Sequence, residues 1–279
     1  MAESLKQAIK KILRPQVDVV GFAPVSRFDD TPEAHYPARV CKDAKTVIVL
    51  GIPVPQGMLR SPGYNLYGVH RTYHSAYTKL DHIALSLSNF IEAKGKYLAM
   101  PIPSYAPMVF HQFEPWGVMS LKHAAVKAGL GRFGRSGQMY HPKYGSLLRL
   151  AAVVTSAPIP GDKLLPDELP CPPNCKACIK VCPAKAFDEN GKFNKMTCLA
   201  YSVKHAIYPL ALNSEEGRKK IERVINTAGH NYWIDCDECV KVCPLNKKEK
   251  AKKNTKQYSY YMDQDNIPTK KIGNRLIVV

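Results

Sequence analysis

Apolar residues form two kinds of pattern along the first part of the chain, a helical period and short continuous runs. In "ESLKQAIKKIL" (3–13) they return every three or four positions, which predicts an opening helix. The runs "VDVVGFAPV" (17–25) and "KTVIVLGIPV" (45–54) are short, β-branched and bounded by Pro or Gly, which is typical of buried strands. A second helical period covers 73–95, where Gly95 is a candidate C-terminal cap. The pattern therefore predicts strands and helices in alternation.

Shorter elements continue this pattern to about residue 159. The stretches 96–100 and 147–159 predict strands, and 118–128 predicts a helix that stops at Gly129. Between them, 101–117 is rich in proline and aromatic residues, which indicates a long loop of the kind that often carries function. We therefore expect an α/β (α+β) core over residues 1–165.

Composition changes after residue 165. Cysteine motifs and short helical pieces occupy 166–250, where Asn213 and Glu216 have the spacing of a helix capping box. A basic C-terminal tail follows at 251–279, and its end, "RLIVV", is suited to a strand. The expected organisation is a cofactor-binding core (1–165), a cysteine-rich module (166–250) and a tail (251–279).

The formal charge of +17 indicates an anionic partner, such as nucleic acid, a phosphate-bearing cofactor, an acidic protein or a membrane surface. Many lysines lie at 246–256, a run typical of a solvated segment, with a nucleic-acid patch as the alternative. No run of about 18 apolar residues predicts a transmembrane helix. The N-terminus lacks a secretory h-region, so we expect a cytoplasmic protein whose nine cysteines do not form a disulfide framework.

Seven of these cysteines lie in two similar runs, 171–187 and 236–246, in each of which a Cys-Pro pair follows a closely spaced Cys-x2-Cys. In two-cluster ferredoxins, the cysteine before proline binds the cluster of the other run. This rule groups Cys171, Cys175 and Cys178 with Cys243. It groups Cys182, Cys236 and Cys239 with the remaining cysteine of this half, Cys198. The pattern favours two 4Fe–4S clusters over two structural zinc sites, and Cys41 is expected to be an ordinary buried thiol.

The segment "AGLGRFGRSG" contains the spacing Gly129-x-Gly131-x-x-Gly134 of a dinucleotide fingerprint. That fingerprint requires a preceding strand, whereas a predicted helix precedes it here, so we reject a Rossmann site. One interpretation is a loop rich in backbone N–H groups, carrying Arg132 and Arg135, that receives an anion or a flat cofactor. The other is a helix C-cap followed by a turn.

Taken in order, several stretches resemble the epoxyqueuosine reductases and, more distantly, the reductive dehalogenases, over about 15–246. They include "VDVVGFAPVSRF", "YHSAYTKLDHIA", "AAVKAGLGRFGRSG", "YGSLLRLAAVVT", both cysteine runs and "CLAYSVKH". The resemblance implies a nitroreductase-like core that holds base-off cobalamin beside a ferredoxin-like module with two 4Fe–4S clusters. It also implies that Cys198 is a cluster ligand. The cofactor contacts that it implies are Tyr73, His74, Gly129, Gly131, Gly134, Ser136, Tyr144, Gly145 and Ser146.

The chain also departs from these families. It is expected to be a truncated form without the C-terminal helical repeats that help epoxyqueuosine reductases to hold tRNA. Pro115 stands where those enzymes have a catalytic aspartate, so Glu114, His111 and Tyr105 are the candidate proton donors. The twin-arginine signal of reductive dehalogenases is missing, as is the Asp-x-His-x-x-Gly signature of corrinoid proteins that bind cobalt through histidine.

These observations predict a cobalamin-dependent iron–sulfur oxidoreductase. It would take electrons from an external low-potential donor and reduce an unidentified small molecule or a tRNA. The alternative is an electron-transfer or activator protein that reduces a partner or another cofactor without substrate chemistry of its own. A tRNA-modifying reductase proper is a third hypothesis, which the charge favours and the truncation opposes.

Overall fold

A computed structural model describes residues 2–59, 66–105, 109–111, 114–188, 190–198, 236–246, 269–272 and 275–278. The predicted capping box at Asn213 and Glu216 lies outside these residues. Within the described ranges, no helix combines the length and apolar character that crossing a membrane requires.

A four-stranded sheet forms the centre of the molecule. Its strands are β1 (Val19–Pro24), β2 (Thr46–Pro53), β3 (Ala99–Ile102) and β8 (Leu148–Thr155), in the spatial order β1-β2-β8-β3. Each neighbouring pair is antiparallel, with Val49 opposite Ala152 at the middle of the sheet. The expected mixed fold is confirmed, and the antiparallel pairing makes it α+β rather than a parallel α/β fold.

Helices cover both faces of this sheet. They are α1 (Ala2–Leu13), α2 (Pro37–Val40), α3 (Leu66–Glu92) and α4 (Leu121–Lys127). Along β2, Ile48 and Leu50 pack against α1 and α3, whereas Val47 and Val49 pack on the opposite side with α4. Because successive strand residues face opposite sides, a sheet covered on both sides needs apolar residues at every position. This explains the unbroken apolar run "VIVL" at 47–50.

Local capping matches the predicted helix ends. Ser120 accepts a hydrogen bond from the His123 amide at the start of α4, and Gly129 follows the helix with φ +75°. Gly95 follows α3 with φ +73°. Helix α3 begins at Leu66, earlier than the predicted residue 73.

The expected loop at 101–117 contains more regular structure than predicted. Strand β3 extends to Ile102, and β4 (Val109–His111) and β5 (Glu114–Trp116) pair as a hairpin. Two further hairpins pair β6 (Arg132–Phe133) with β7 (Met139–Tyr140), and β9 (Thr269–Ile272) with β10 (Arg275–Val278). The strand predicted for "RLIVV" is therefore present, paired with the segment just before it.

Candidate metal centres

Each cysteine run forms one short helix that ends at its Cys-Pro pair. Helix α5 (Ala177–Val181) is followed by Cys182 with ψ 110°, and α6 (Glu238–Val242) is followed by Cys243 with ψ 123°. Proline disfavours helical geometry at the residue before it, so each of these cysteines takes an extended conformation and leaves its helix. The two helices pack against each other, which brings the two runs together.

The Cys243 thiol lies near Cys178 of the first run, the neighbourhood in which the ferredoxin rule would place it. Burial raises the pKa of the Cys178 thiol, and nearby Cys171, Cys243 and Cys175 raise it further. Cys243 therefore lies near Cys178, and the assignment of these four thiols to one cluster stays a prediction. Cys41 is buried in the core of the sheet, apart from this group.

The thiols of Cys198, Cys236 and Cys239 lie near one another, and we call them the second group. Burial raises the pKa of the Cys236 thiol to about 12, with Cys198 among the neighbouring groups that contribute. Burial also raises the pKa of Cys239, and Cys236, Cys198 and Cys178 add to the effect. Cys182 accepts a hydrogen bond from the Ala186 amide at 3.4 Å. Its membership of the second group stays a prediction.

The donor set fits iron–sulfur clusters. All nine cysteines are free thiols, and soft sulfur ligands suit such clusters. Buried thiols with raised pKa values need a nearby positive charge to become thiolates, and a bound metal centre supplies that charge. Within the described ranges, no three Cys, His, Asp or Glu side chains are placed to hold a single metal ion.

The predicted cofactor glycines pack against the chain itself. A Cβ atom at Gly131 would lie 2.5 Å from the Tyr140 carbonyl oxygen, and one at Gly134 would lie 2.5 Å from the Tyr140 ring. At Gly129, which has a positive φ, a Cβ atom would collide with the Lys163 carbonyl. The close approaches that require glycine are therefore made by neighbouring backbone and side chains, and contact of this loop with a corrinoid stays a prediction.

Gly145 and Ser146 contact the end of the second cysteine run. The Ser146 amide donates to Asn246 Oδ1 at 2.8 Å, and Asn246 Nδ2 donates to Ser146 Oγ at 2.8 Å and to the Val240 carbonyl at 2.9 Å. A Cβ atom at Gly145 would collide with Asn246 Oδ1. Ser146 and Asn246 are both buried. Sequence reasoning missed Asn246, although it is the last residue of the second run.

Tyr73 is bound to the same run at another point. Its hydroxyl donates to Asp237 Oδ1 at 3.0 Å, and the Arg149 guanidinium lies 3.6 Å from the centre of its ring. Burial raises the pKa of Asp237, while Arg149 and Tyr73 oppose the shift. This buried contact joins α3 and β8 to the residue after Cys236. Asp237 is a further functional candidate that sequence reasoning did not identify.

His74, the neighbour of Tyr73, lines a cavity of about 660 Å³ on another side of α3. Arg71, Lys79 and His82 also line it, together with Gln16 from the segment after α1. The described lining contains none of the other predicted cofactor residues. The Tyr73–His74 pair is thus divided between two environments.

Ser136 precedes β7 in the sequence and Tyr144 follows it. Ser136 is buried with its hydroxyl 2.9 Å from that of Tyr140. The Tyr144 hydroxyl donates to Asp18 at 3.4 Å, and its ring lies 5.1 Å from that of His141. Neither contact tests the predicted cofactor role.

The three candidate proton donors lie in or before the β4–β5 hairpin. Glu114 and His111 are directly opposite partners in its register. Tyr105 stacks on Tyr77 of α3, with ring centres 5.0 Å apart. A role in proton transfer stays a prediction for each of them.

The arginines of the glycine loop differ in their partners. The Arg132 guanidinium donates to the Pro166 carbonyl at 2.7 Å and pairs with Asp167 at 3.2 Å. It therefore fastens the segment that leads into the first cysteine run. Arg135 donates through its backbone amide to Cys171 Sγ at 3.4 Å.

Comparison with known proteins agrees with this geometry. Residues 171–246 match the family model of the 4Fe-4S double cluster binding domain. The epoxyqueuosine reductase of Lactococcus garvieae (strain Lg2) is 30% identical over 217 residues, which cover 77% of this chain and 56% of that protein. The chain is related to the epoxyqueuosine reductases. The predicted resemblance is thereby confirmed, and the chain spans little more than half the length of this relative.

Solved structures share the fold of most of this chain. The crystal structure of selenomethionine-labelled epoxyqueuosine reductase matches with a TM-score of 0.58 and 21% identity, over 90% of this chain and 68% of that one. The catabolic reductive dehalogenase NpRdhA matches with a TM-score of 0.56 and 17% identity, over 84% and 30% of the two chains. Both predicted families thus share the fold.

Proposed function

We propose that the protein is an iron–sulfur oxidoreductase that passes single electrons through two 4Fe–4S clusters to a bound acceptor. The observation that carries this proposal is the proximity of the Cys243 thiol, from the second run, to Cys178 of the first run. Interleaved runs place two clusters side by side. Two adjacent clusters form a path for single electrons.

In this proposal, the chain supplies eight thiolates and fixes their positions. Cys171, Cys175, Cys178 and Cys243 hold one cluster, and Cys182, Cys198, Cys236 and Cys239 hold the other. When bound, the clusters supply one-electron transfer. Asn246 and Asp237 attach the second run to the sheet and to α3. These contacts hold the cysteines of that run at a fixed position relative to the core. We also propose the divisions 1–165, 166–250 and 251–279 as core, cluster module and tail.

Anaerobic reconstitution with iron and sulfide tests the clusters. About eight iron and about eight sulfide per chain are expected, because each of two cubanes contains four of each. Stoichiometric zinc without iron after the same treatment would contradict the proposal and support the zinc alternative.

The acceptor that we propose is a corrinoid. Support comes from the relationship to the epoxyqueuosine reductases and from the fold shared with reductive dehalogenases, one of which is described as B12-dependent. Titration of hydroxocobalamin is expected to shift its spectrum to a base-off form and to leave cofactor bound after desalting. Retention of the base-off corrinoid at one per chain would support this acceptor.

The second candidate function is electron transfer to a partner protein or a different cofactor. One observation favours it: chain atoms fill the spaces beside Gly129, Gly131, Gly134 and Gly145, where the corrinoid was predicted to approach. Unaltered cobalamin spectra and no retention on the column would favour this candidate over the corrinoid reductase.

A tRNA is the substrate class that the relatives suggest. One crystal structure contains an epoxyqueuosine reductase with an epoxyqueuosine-modified tRNA stem loop, and the charge of +17 suits a polyanion. A small molecule is the alternative substrate. The external low-potential electron donor and the cytoplasmic location both stay predictions. Binding of the modified stem loop, weakened by added salt, would support tRNA. No binding at low salt would favour a small molecule.

A further inference from the structure

A polar cavity of about 660 Å³ lies along α3. The helical residues that line it recur every three or four positions, a spacing that places side chains on one face of a helix. Pro15 and Gln16, from the segment after α1, complete the described lining. From Arg71 to His82 the helix advances about 16 Å, at about 1.5 Å per residue. The cavity is therefore elongated, and we call it the α3 groove.

Positive side chains line the α3 groove without acidic neighbours. Arg71, Lys79 and the imidazoles of His74 and His82 belong to its lining, which contains no aspartate or glutamate among the described residues. Neither Arg71 nor Lys79 forms an ion pair with a residue of the described ranges. Such cations in a concave surface attract anions, and arginine and lysine are the usual phosphate-binding side chains. The groove is therefore suited to a ligand with several phosphate groups along its length.

Hydrogen-bond acceptors stand beside these cations. Ser75 Oγ donates its proton to the Arg71 carbonyl at 3.0 Å, so this hydroxyl can only accept from a ligand. Gln16 Nε2 donates to the Ile12 carbonyl at 2.9 Å, which leaves Oε1 as an acceptor. Phosphate oxygens do not donate to such acceptors, whereas the 2′-hydroxyl groups of ribose do. A ligand that alternates phosphates with hydroxyls, as an RNA strand does, matches both sets of groups.

We propose that the α3 groove binds the sugar–phosphate backbone of an RNA strand. Arg71 and Lys79 contact phosphates, and Ser75 and Gln16 accept hydrogen bonds from ribose hydroxyls. Contacts of this kind hold RNA in place without reading its bases. The inference rests on the proposed function, because it assigns a binding surface to the RNA substrate named there, and the charge of +17 agrees with such a ligand.

The test is the double variant Arg71→Gln/Lys79→Gln, which removes both charges and keeps good helix formers on α3. Binding of the epoxyqueuosine-modified tRNA stem loop to the reconstituted protein is measured by fluorescence anisotropy at several salt concentrations. The dissociation constant is expected to rise about tenfold at low salt. The slope of log affinity against log salt should become shallower by between about 1 and 2, because each lost phosphate contact removes about 0.7–0.9 from it.

Two comparisons define what the groove recognises. Lys42→Gln/Lys45→Gln is the matched control, since it removes the same charge from two exposed lysines that are not in the described lining. It should change the dissociation constant by less than about twofold, because salt screens distant surface charges. An unmodified RNA stem loop should show the same loss in the groove variant, whereas a DNA stem loop of the same sequence should bind the wild-type protein about threefold more weakly.

The outcomes separate this inference from the proposed function. Wild-type protein without clusters after reconstitution would contradict the iron–sulfur proposal. Wild-type protein that assembles clusters but binds no stem loop would contradict the tRNA substrate and the groove together.

Other outcomes concern the groove alone. Equal losses in the groove variant and in the lysine control would overturn it, as would DNA bound as tightly as RNA. Binding of inorganic tripolyphosphate without binding of RNA would also overturn it and assign the groove to a small anion. If the double variant does not fold, Lys79→Gln decides, and a dissociation constant equal to that of Lys42→Gln would overturn the groove.

Discussion

Replacement of Asn246 by Ala should loosen the attachment of the second cysteine run to the sheet. The Asn246 side chain accepts one hydrogen bond and donates two, at 2.8–2.9 Å, to Ser146 and to the Val240 carbonyl. Ser146 lies 100 residues away in sequence, so these bonds hold two distant segments together. Alanine would remove all three bonds at a buried position and leave the partner groups without them.

The cost can be worked out from these contacts. A neutral hydrogen bond contributes about 1 kcal/mol net, and a buried group left unpaired costs more. Loss of three bonds should therefore reduce the free energy of unfolding by about 3 kcal/mol. For a chain of this size, about 3 kcal/mol corresponds to a melting temperature roughly 6–12 °C lower.

Thermal unfolding of the reconstituted protein, followed by circular dichroism, measures this change. Hydrogen exchange at the Ser146 amide gives a local measurement, because that amide is the donor to Asn246. Asn89→Ala is the matched control, since Asn89 is exposed on α3 and alanine is a good helix former. A melting temperature and Ser146 exchange rate equal to those of the control would show that the Asn246 contact does not hold the cysteine run.

Three other predictions follow from the sequence and the core. Cys198→Ala should lose about half of the iron, because one of the two clusters loses a ligand, whereas Cys41→Ala should lose none; equal iron contents would remove Cys198 from the ligand set. Once turnover is measurable, Glu114→Gln should slow it about 100-fold with all cofactors bound, and a change within about twofold would exclude Glu114 as the acid. Thr46→Val should lower the melting temperature by about 5 °C, because Thr46 Oγ1 donates to the Ala157 carbonyl and accepts from the Ile159 amide at a fully buried position; an unchanged melting temperature would show that these bonds add nothing to stability.

The amino-acid sequence by itself determined the features that depend on neighbours a few residues apart. Strand β2 was visible because 47–50 form an unbroken apolar run, and the end of α4 because Gly129 tolerates a positive φ. The ends of α5 and α6 were also predictable, since proline after Cys182 and Cys243 forces each cysteine out of its helix. In these cases the physical cause lies within one segment.

Other features required the tertiary structure. Glycine at positions 131, 134 and 145 indicates that other atoms approach the backbone closely there. A glycine does not show whether those atoms belong to a ligand or to the chain itself. The antiparallel order of the sheet likewise depends on how the connections cross the core rather than on the strands themselves.

The contacts between the cysteine runs and the core illustrate the same limit. Tyr73 and Asp237 are 164 residues apart, and Ser146 and Asn246 are 100 apart. A buried hydrogen bond needs only one donor and one acceptor, which almost any polar residue supplies, so residue types alone did not select these pairs. Packing of α3, β8 and the second cysteine run brings each pair within 3.0 Å, and that proximity decides the pairing.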